Sequence, residues 1–242
     1  MVKRPDCRQK LLIATLSAAF VFYENWYTSH MIISYHGMDF FKVSFGDTTI
    51  AVNPISKDSK EKSTRFGSDI TLVSLNSPEH SGSDVTSRGD KESFVISGPG
   101  EYEVSGVFIK GFLSKSNYGE KENNSEKINT IYMVSLEGMN LAFLGALSDT
   151  NLSDEAKEAI EETDILFVPI GGDGVLDATA AHKLAVQFEP KLIIPSHFKD
   201  NGALKKFLKE AGEESVKPVD KLTIKKKDLD GKEGDVIVLE QI

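Results

Sequence analysis

The residues Ile70-Thr-Leu-Val-Ser-Leu-Asn-Ser-Pro-Glu-His-Ser-Gly82 decide how this sequence is interpreted. The first part, Ile70–Leu75, is a compact apolar run without charge, which is typical of a buried strand. The second part is a polar loop in which Glu79 and His80 follow a proline. A buried strand that leads into a carboxylate and an imidazole indicates the segment most suited to carry chemistry.

The rest of the chain alternates between two kinds of segment. Short runs rich in β-branched and aromatic residues predict strands at Ile32–Tyr35, Phe40–Phe45, Thr49–Val52, Ser93–Ile96, Val104–Phe112, Thr130–Leu136, Asn140–Leu144, Ile165–Pro169, Leu192–Pro195, Leu222–Lys225 and Val236–Leu239. Helices are predicted at Asp154–Glu162, Ala178–Phe188 and Ala203–Ala211. Strands cluster early and late, with helix–strand alternation between them. This order predicts an α/β protein with two sheets and helices outside.

Two polar stretches interrupt this pattern. Residues 56–68 contain lysines among acidic residues and predict an exposed loop. Residues 114–127 have almost nothing to bury, so they predict a mobile excursion.

Composition limits the function classes. The chain has 242 residues, of which 40% are hydrophobic and 27% charged, as in an ordinary globular domain. Its 28 Lys and Arg against 37 Asp and Glu give a net charge of −9, which argues against nucleic acid as a partner. The single cysteine, Cys7, excludes a disulfide framework and a cysteine-rich zinc site.

The first thirty residues differ from the remainder. A basic start, Met1–Lys10, precedes an uncharged run over residues 11–23, which is the shape of a signal peptide or anchor. A misassigned start codon upstream of Met31 is the alternative. We therefore divide the chain into an extension, 1–30, and a domain, 31–242. Membrane association is expected only if 11–23 is an anchor: the protein is cytoplasmic if it starts at Met31, and exported or anchored if 1–30 is genuine.

Seven segments, in order along the chain, resemble one known superfamily. They are Ile33-Ser-Tyr-His-Gly37, Ala51-Val-Asn-Pro54, Ser97-Gly-Pro-Gly-Glu-Tyr-Glu-Val-Ser-Gly-Val107, Asn129-Thr-Ile-Tyr132, Phe143-Leu-Gly145, Asp164-Ile-Leu-Phe-Val-Pro-Ile-Gly-Gly172 and Ile194-Pro-Ser-His197. The chain resembles the metallo-β-lactamase superfamily, in its small branch of inferred zinc-dependent hydrolases related to ascorbate-6-phosphate lactonase. The resemblance implies a four-layer αββα sandwich with a metal site at one edge of the two sheets.

The residues expected to bind metal depart from that family. Members carry a His-x-His-x-Asp-His motif after the strand, whereas this chain has Leu75, Ser77, Glu79 and His80 at those positions. The family's next histidine falls near Ser116, its bridging aspartate falls at Ala146, and its last histidine is present as His197. Two supporting positions also differ: Met38 stands where the family has histidine, and Asn53 where it has aspartate.

These departures predict that a two-metal centre is absent. Leucine and alanine have no lone pair to donate, and a neutral serine hydroxyl is a much weaker zinc ligand than imidazole. The resemblance leaves Glu79, His80 and His197 as a residual set for a single zinc, manganese or iron ion. The longer Glu79 side chain would weaken that ion's binding.

Two functions remain open. The first is a degenerate pseudo-hydrolase with no metal cofactor, retained as a binding or structural scaffold for an unknown protein or small-molecule partner. The second is a hydrolase of phosphorylated or lactone-type small molecules that uses one metal on Glu79, His80 and His197.

Overall fold

The computed structural model describes residues 30–87, 89, 92–119 and 127–242. The expected signal-like or misassigned segment therefore lies outside the described residues, apart from His30. Within the described part of the chain, no helix is both long and apolar enough to cross a membrane.

The first sheet has six strands. They are β1 (Met31–Tyr35), β2 (Phe41–Phe45), β3 (Thr48–Val52), β4 (Ile70–Leu72), β5 (Phe94–Ile96) and β12 (Leu222–Ile224), in the order β12-β1-β2-β3-β4-β5. Pairing is antiparallel from β12 to β3 and parallel from β3 to β5.

The second sheet has seven strands. They are β6 (Gly100–Val104), β7 (Val107–Ser116), β8 (Lys127–Leu136), β9 (Met139–Phe143), β10 (Ile165–Pro169), β11 (Leu192–Ser196) and β13 (Asp235–Val236), in the order β13-β11-β10-β9-β8-β7-β6. Strands β6 to β9 pair antiparallel, whereas β9, β10, β11 and β13 pair parallel.

In the described part of the chain, three α-helices accompany the second sheet: α1 (Asp154–Glu161), α2 (Ala178–Phe188) and α3 (Asn201–Glu210). Each is preceded by an N-cap residue whose side chain accepts a hydrogen bond from a backbone N–H of the first turn. Ser153 accepts from Ala156, Asp177 from Ala180, and Asp200 from Gly202 and Ala203. Two short 3-10 helices, Ser83–Val85 and Lys226–Leu229, lie in connecting segments.

Two large apolar cores hold these elements together. The inner core fills the space between the sheets and contains Phe41, Tyr132 and Phe167 among its buried residues. The outer core lies between the seven-stranded sheet and the three helices, with Ile131 and Phe188 among its members. The prediction of two facing sheets with helices outside is therefore confirmed.

The outer face of the six-stranded sheet is covered differently. Among the residues described, no α-helix packs on it. Instead Thr71, on the outer face of β4, is fully buried beneath loop residues and donates to the Thr86 hydroxyl at 2.8 Å. Loops with the 3-10 helix Ser83–Val85 thus form the fourth layer here.

Several predicted boundaries change. Strand β4 ends at Leu72 instead of Leu75. The predicted strand Val104–Phe112 is divided, because residues 100–104 form the edge strand β6 and β7 begins at Val107. The start of the predicted excursion was wrong: Ser114–Ser116 belong to β7 because they pair with 127–129 of β8. Side-chain hydrogen bonds hold that pairing, since the Asn129 amide donates to Ser114 Oγ at 2.8 Å. Residues 120–126 lie outside the described part.

Candidate metal site

The candidate site lies where several strands end. His197 directly follows β11, Asn53 directly follows β3, and His80 lies in the loop after β4. Because the carboxyl ends of parallel strands meet at one edge of a sheet, loops from distant parts of the chain converge there.

The two histidines predicted from the sequence are in contact. The rings of His80 and His197 stack with centroids 5.1 Å apart and planes inclined by 18°. His80 is completely buried, and His197 is 4% exposed. Among the described residues, neither Nε2 atom has a hydrogen-bond partner, although both are buried.

The opposite ring nitrogen is occupied in both histidines. His80 Nδ1 lies 2.8 Å from Ser77 Oγ. The His197 ring bonds its own backbone, and since Nε2 has no partner, this bond uses Nδ1. When Nδ1–H is directed to such a partner, the lone pair is on Nε2, which is the arrangement usual for metal-binding histidines.

Burial keeps both imidazoles neutral. Burial lowers the pKa of His197 to about 4, against the hydrogen bond to its own backbone, which raises the pKa. Burial, together with the repulsion that a protonated His197 would exert, also holds the pKa of His80 well below its usual range. Desolvation disfavours the charged form of a base, so both rings are unprotonated near neutral pH.

Tyr118 covers the histidine pair. Its ring meets His197 edge-on at 4.7 Å and 86°, and His80 at 5.4 Å and 72°. Its backbone N–H donates to Ser116 Oγ at 3.2 Å. Burial raises the pKa of the Tyr118 hydroxyl to about 12.

Three expected ligand or supporting positions belong to an apolar group around this tyrosine. We call it the site cluster, and it consists of Met38, Phe40, Ala51, Ile55, Leu75, Tyr118, Ala146 and Val175. Leu75 is 2% exposed and Ala146 is fully buried. Apolar side chains therefore occupy three positions at which the resemblance led us to expect donors.

The remaining predicted residues have other partners. Ser77 bonds His80, and Ser116 bonds the Tyr118 backbone. Glu79 accepts a hydrogen bond from Ser59 Oγ at 3.2 Å. Over the described ranges, no three His, Cys, Asp or Glu side chains gather closely enough to hold a metal ion. Within these ranges Glu79 therefore does not complete a three-residue set with the two histidines.

Asp39 is a site residue that sequence reasoning missed. It is 2% exposed and accepts hydrogen bonds from Ser196 Oγ at 2.8 Å and from Asn53 Nδ2 at 2.5 Å. Asn53 Oδ1 in turn accepts from the Ser74 N–H at 2.8 Å. Burial raises the pKa of Asp39 to about 7. This carboxyl thus joins the ends of β3 and β11 to the segment that follows β4.

Three residues at this edge have left-handed backbone conformations without being glycine. Met38, Asn53 and His197 have φ values of 53°, 50° and 53°. Such conformations cost about 1 kcal/mol or more and persist where surrounding contacts enforce them, often at functional sites. Here the Met38 carbonyl accepts from the His197 N–H at 2.5 Å and from the Tyr35 hydroxyl at 2.9 Å.

A small cavity adjoins the histidine pair. Its volume is about 150 Å³, and its lining includes Tyr118, His197, Asp173 and Lys199. Gly171 forms part of its wall, where a Cβ atom would lie 2.1 Å from the His197 carbonyl oxygen. Only glycine allows the loop after β10 to pass this close to His197.

Relatives in sequence carry hydrolase names. A UPF0173 metal-dependent hydrolase of Listeria innocua is 25% identical over 197 residues, covering 69% of this chain and 85% of the relative. The corresponding protein of Listeria welshimeri is 26% identical over the same coverage.

Solved structures give the same fold. A protein of Thermotoga maritima, inferred to be a Zn-dependent hydrolase of the metallo-beta-lactamase superfamily, superposes with a TM-score of 0.67 at 27% identity, covering 87% of this chain and 99% of its own. An inferred metal-dependent hydrolase of Parabacteroides distasonis reaches a TM-score of 0.61 at 17% identity, covering 88% and 94% of the two chains, which shows the fold alone.

The family match covers most of the chain. The sequence profile described as the Beta-lactamase superfamily domain matches residues 32–197, which span β1 to the second histidine of the pair. Together with the two facing sheets and the site at their edge, this match assigns the family. The chain belongs to the metallo-β-lactamase superfamily, within the group of relatives described as metal-dependent hydrolases.

Proposed function

We propose that this chain has lost the two-metal hydrolytic centre and is retained as a binding scaffold. The observation that carries the proposal is the site cluster, in which Leu75 and Ala146 fill two ligand positions with hydrocarbon. Hydrolysis in this superfamily depends on metal ions that activate water and polarise the scissile bond. Without a third donor beside His80 and His197, no dinuclear centre can form.

A second candidate is a hydrolase that works with a single metal ion. The relatives' names favour it, because both the Listeria proteins and the Thermotoga structure are described as metal-dependent hydrolases. The free Nε2 atoms of His80 and His197 also favour it. On this proposal Glu79 leaves Ser59 and joins the histidines. The metal, when bound, supplies an activated water, and the chain's own residues orient the substrate at the cavity beside Tyr118.

Metal content and hydrolysis distinguish the two candidates. The full-length protein is purified without chelator, its zinc, manganese and iron are measured by mass spectrometry, and it is tested on lactone and phosphate-ester substrates. The same measurements are made on the His80→Ala/His197→Ala double variant. His182→Ala is the matched control, because it removes an imidazole that packs on Phe207 away from the site.

The scaffold proposal expects no stoichiometric metal and no hydrolysis that differs between native protein and double variant. About one metal ion per chain, lost together with hydrolysis in the double variant and kept in His182→Ala, would overturn it in favour of the single-metal enzyme.

A further inference from the structure

An open groove lies on the outer face of the seven-stranded sheet, near the start of β9 and so at the end of the sheet opposite His197. Its volume is about 300 Å³. Pairing across β6, β7, β8 and β9 places four residues in one row of this face: Glu103, Phe108, Ser135 and Asn140. The Phe108 side chain is 55% exposed, so this row is open among the residues described.

The floor of the groove is apolar, whereas its rim is acidic. Phe108, Met133 and Ala159 contribute apolar surface to the lining. Five charged residues lie in the groove or directly beside it: Glu101, Glu103, Lys110, Glu155 and Glu162. Lys110 pairs with Glu101 at 3.1 Å and with Glu155 at 3.0 Å, so one cation is shared between two carboxylates. Negative charge is therefore in excess beside an uncovered aromatic ring.

The chain enters the described fold at the same end of the molecule as the groove. Met31, the first residue of β1, pairs with Ile224. Two residues further on, Lys226 Nζ donates to Asp164 at 2.6 Å, and Asp164 accepts from the Asn140 N–H at 2.9 Å. Asn140 itself lines the groove. Residues 1–29 are therefore attached to the fold only a few contacts away from the groove.

The sequence of residues 1–29 complements the groove in charge and in polarity. Residues 1–10 carry four basic side chains and one acidic side chain, although the whole chain has a net charge of −9. Residues 11–23 are uncharged, and eleven of these thirteen side chains are apolar. This run is shorter than the about 20 residues that a helix needs to cross a bilayer, which favours an apolar protein surface as its binding place.

We propose that residues 11–23 bind in this groove of their own chain, with the basic residues 1–10 against its acidic rim. The seven residue steps from Tyr23 to His30 reach up to about 24 Å when extended, a span of the same order as the contacts from Met31 to Asn140. A second copy is less suited, because pairing two such grooves would bring two acidic rims together. The inference is independent of the scaffold proposal, since the groove and the histidine pair lie at opposite ends of the sheet.

The test uses Cys7, the single cysteine of the chain, to locate residues 1–10. The full-length protein is made by cell-free synthesis, so that residues 1–29 are retained, and benzophenone maleimide is attached to Cys7. Irradiation cross-links the label to adjacent residues, and mass spectrometry of proteolytic fragments locates the cross-links. We expect them within one chain, in residues 100–110 and 154–162.

A variant of the groove floor tests the apolar contact. Phe108→Ser should lower the yield of these cross-links about threefold or more, because the groove loses its exposed aromatic ring. Val186→Ser is the matched control, because Val186 is 57% exposed but lines a different cavity, between the ends of α2 and α3. Its yield should equal that of the native protein.

A variant of the rim tests the charge. Glu103→Lys/Glu162→Lys should lower the cross-link yield about twofold or more, because the basic residues 1–10 would then meet like charges. Glu189→Lys/Glu233→Lys is the matched control, because these exposed carboxylates line the cavity of Val186. The control should leave the yield unchanged.

The remaining outcomes contradict the inference. Cross-links to another part of the same chain, cross-links to no part of it, or an unchanged yield in Phe108→Ser would each overturn the binding of residues 11–23 in the groove. Cross-links between two chains would also overturn it and identify a second copy as the occupant. Flotation with vesicles of phosphatidylcholine and phosphatidylglycerol identifies a membrane anchor if native protein floats without cross-links in the groove. None of these outcomes changes the expected metal content, so the scaffold proposal is tested separately.

Discussion

Two glycines illustrate how much a single residue can matter at this site. At Gly171 an added Cβ atom would lie 2.1 Å from the His197 carbonyl oxygen, a backbone atom that cannot rotate away. At Gly98 an added Cβ atom would meet nothing within 4 Å. The glycine at 171 is therefore required by the approach of His197, whereas the glycine at 98 is not required by packing.

We expect Gly171→Ala to lower the free energy of unfolding by about 1–3 kcal/mol and to displace His197 from its stacked position. Gly98→Ala should change it by less than about 0.5 kcal/mol. Urea denaturation followed by circular dichroism measures both. Equal stability of the two variants would show that the loop after β10 does not press on His197.

At the residue scale, sequence reasoning found the histidines and missed their surroundings. His80 and His197 were predicted because each follows a strand within a segment that resembles the family. Asp39 could not be predicted as a buried acid, since its partner Ser196 is 157 residues away and only the fold brings them together. Tyr118 was missed because it lies within the polar stretch 114–127 that predicts exposure, yet it is 9% exposed.

At the scale of elements, the end of α2 carries a conformational cost. Its C-cap residue, Glu189, has φ 45° and ψ 46°, a left-handed conformation that glycine adopts freely. At the end of α1, Glu162 has φ −88° and ψ 9°, where glycine brings no such relief.

Glu189→Gly should therefore raise the free energy of unfolding by about 0.5–1 kcal/mol. Glu162→Gly should not raise it. Thermal unfolding of the two variants, compared with the native protein, checks this. A melting temperature that falls in Glu189→Gly would mean that its side chain makes a contact outweighing the backbone cost.

Asp164 joins the starts of several elements. Its carboxylate accepts from Lys191 Nζ at 2.8 Å, from Lys226 Nζ at 2.6 Å and from the Asn140 N–H at 2.9 Å. Burial raises its pKa, but these hydrogen bonds outweigh burial, and the net result is a pKa below the usual range. A carboxylate with a lowered pKa stabilises the fold at neutral pH, and this stabilisation is lost as the pH falls through the folded-state pKa.

We expect Asp164→Asn to lower the free energy of unfolding by about 1–2 kcal/mol at about pH 7. On acidification, the free energy of unfolding should then fall less in this variant than in the native protein. The exposed Asp58→Asn variant is the control. Urea denaturation of the native protein and both variants at about pH 7 and about pH 3 gives the free energies of unfolding to be compared. Parallel acid profiles for native protein and Asp164→Asn would contradict the role given to this group.

Sequence patterns predicted most elements and erred where pairing depends on distant residues. The helix Ala178–Phe188 was predicted with its observed ends, because Asp177 caps it and Glu189-Pro190 ends it. Strand β6 was missed because Gly98-Pro99-Gly100 reads as a turn, while its pairing with β7 is visible only in the fold. Strand β4 was predicted too long, because apolar residues continue past Leu72 into the site cluster.

At the scale of the whole molecule, one hydroxyl links the two sheets. Tyr132 lies in the seven-stranded sheet, and its hydroxyl donates to the Val73 carbonyl at 2.9 Å, beyond the end of β4. The same oxygen accepts from the Gly98 N–H at 2.9 Å, beyond the end of β5. Both contacts are made just beyond the ends of strands of the six-stranded sheet, so the hydroxyl ties one sheet to the segments that leave the other.

Tyr132→Phe should lower the free energy of unfolding by about 1–3 kcal/mol, because the buried Val73 carbonyl and the half-buried Gly98 N–H each lose a partner. Tyr102→Phe is the matched control, since the Tyr102 hydroxyl lies at 3.5 Å and 3.4 Å from its acceptors, at the limit of hydrogen bonding. Tyr102→Phe should lower the free energy of unfolding by less than about 0.5 kcal/mol. Equal effects in urea denaturation would argue against a link between the sheets.

The architecture as a whole was predicted because the order of strand and helix segments constrains the number of layers. The pattern could not show that loops, and not a helix, cover Thr71 on the six-stranded sheet. Nor could the sequence pattern show that the histidines stack beneath Tyr118, because the position of Tyr118 depends on where β7 ends relative to the loops that carry the histidines.

The site cluster is separate from the two large cores, and this separation has an evolutionary consequence. Substitutions at Leu75 or Ala146 alter what the loops can hold, while the contacts between the sheets and under the helices stay in place. Ligand residues can therefore be lost or regained one at a time during evolution while the protein remains folded at each step. Such a scaffold can change its chemistry by drift, and the same backbone can pass between metals, or between enzyme and receptor, across lineages.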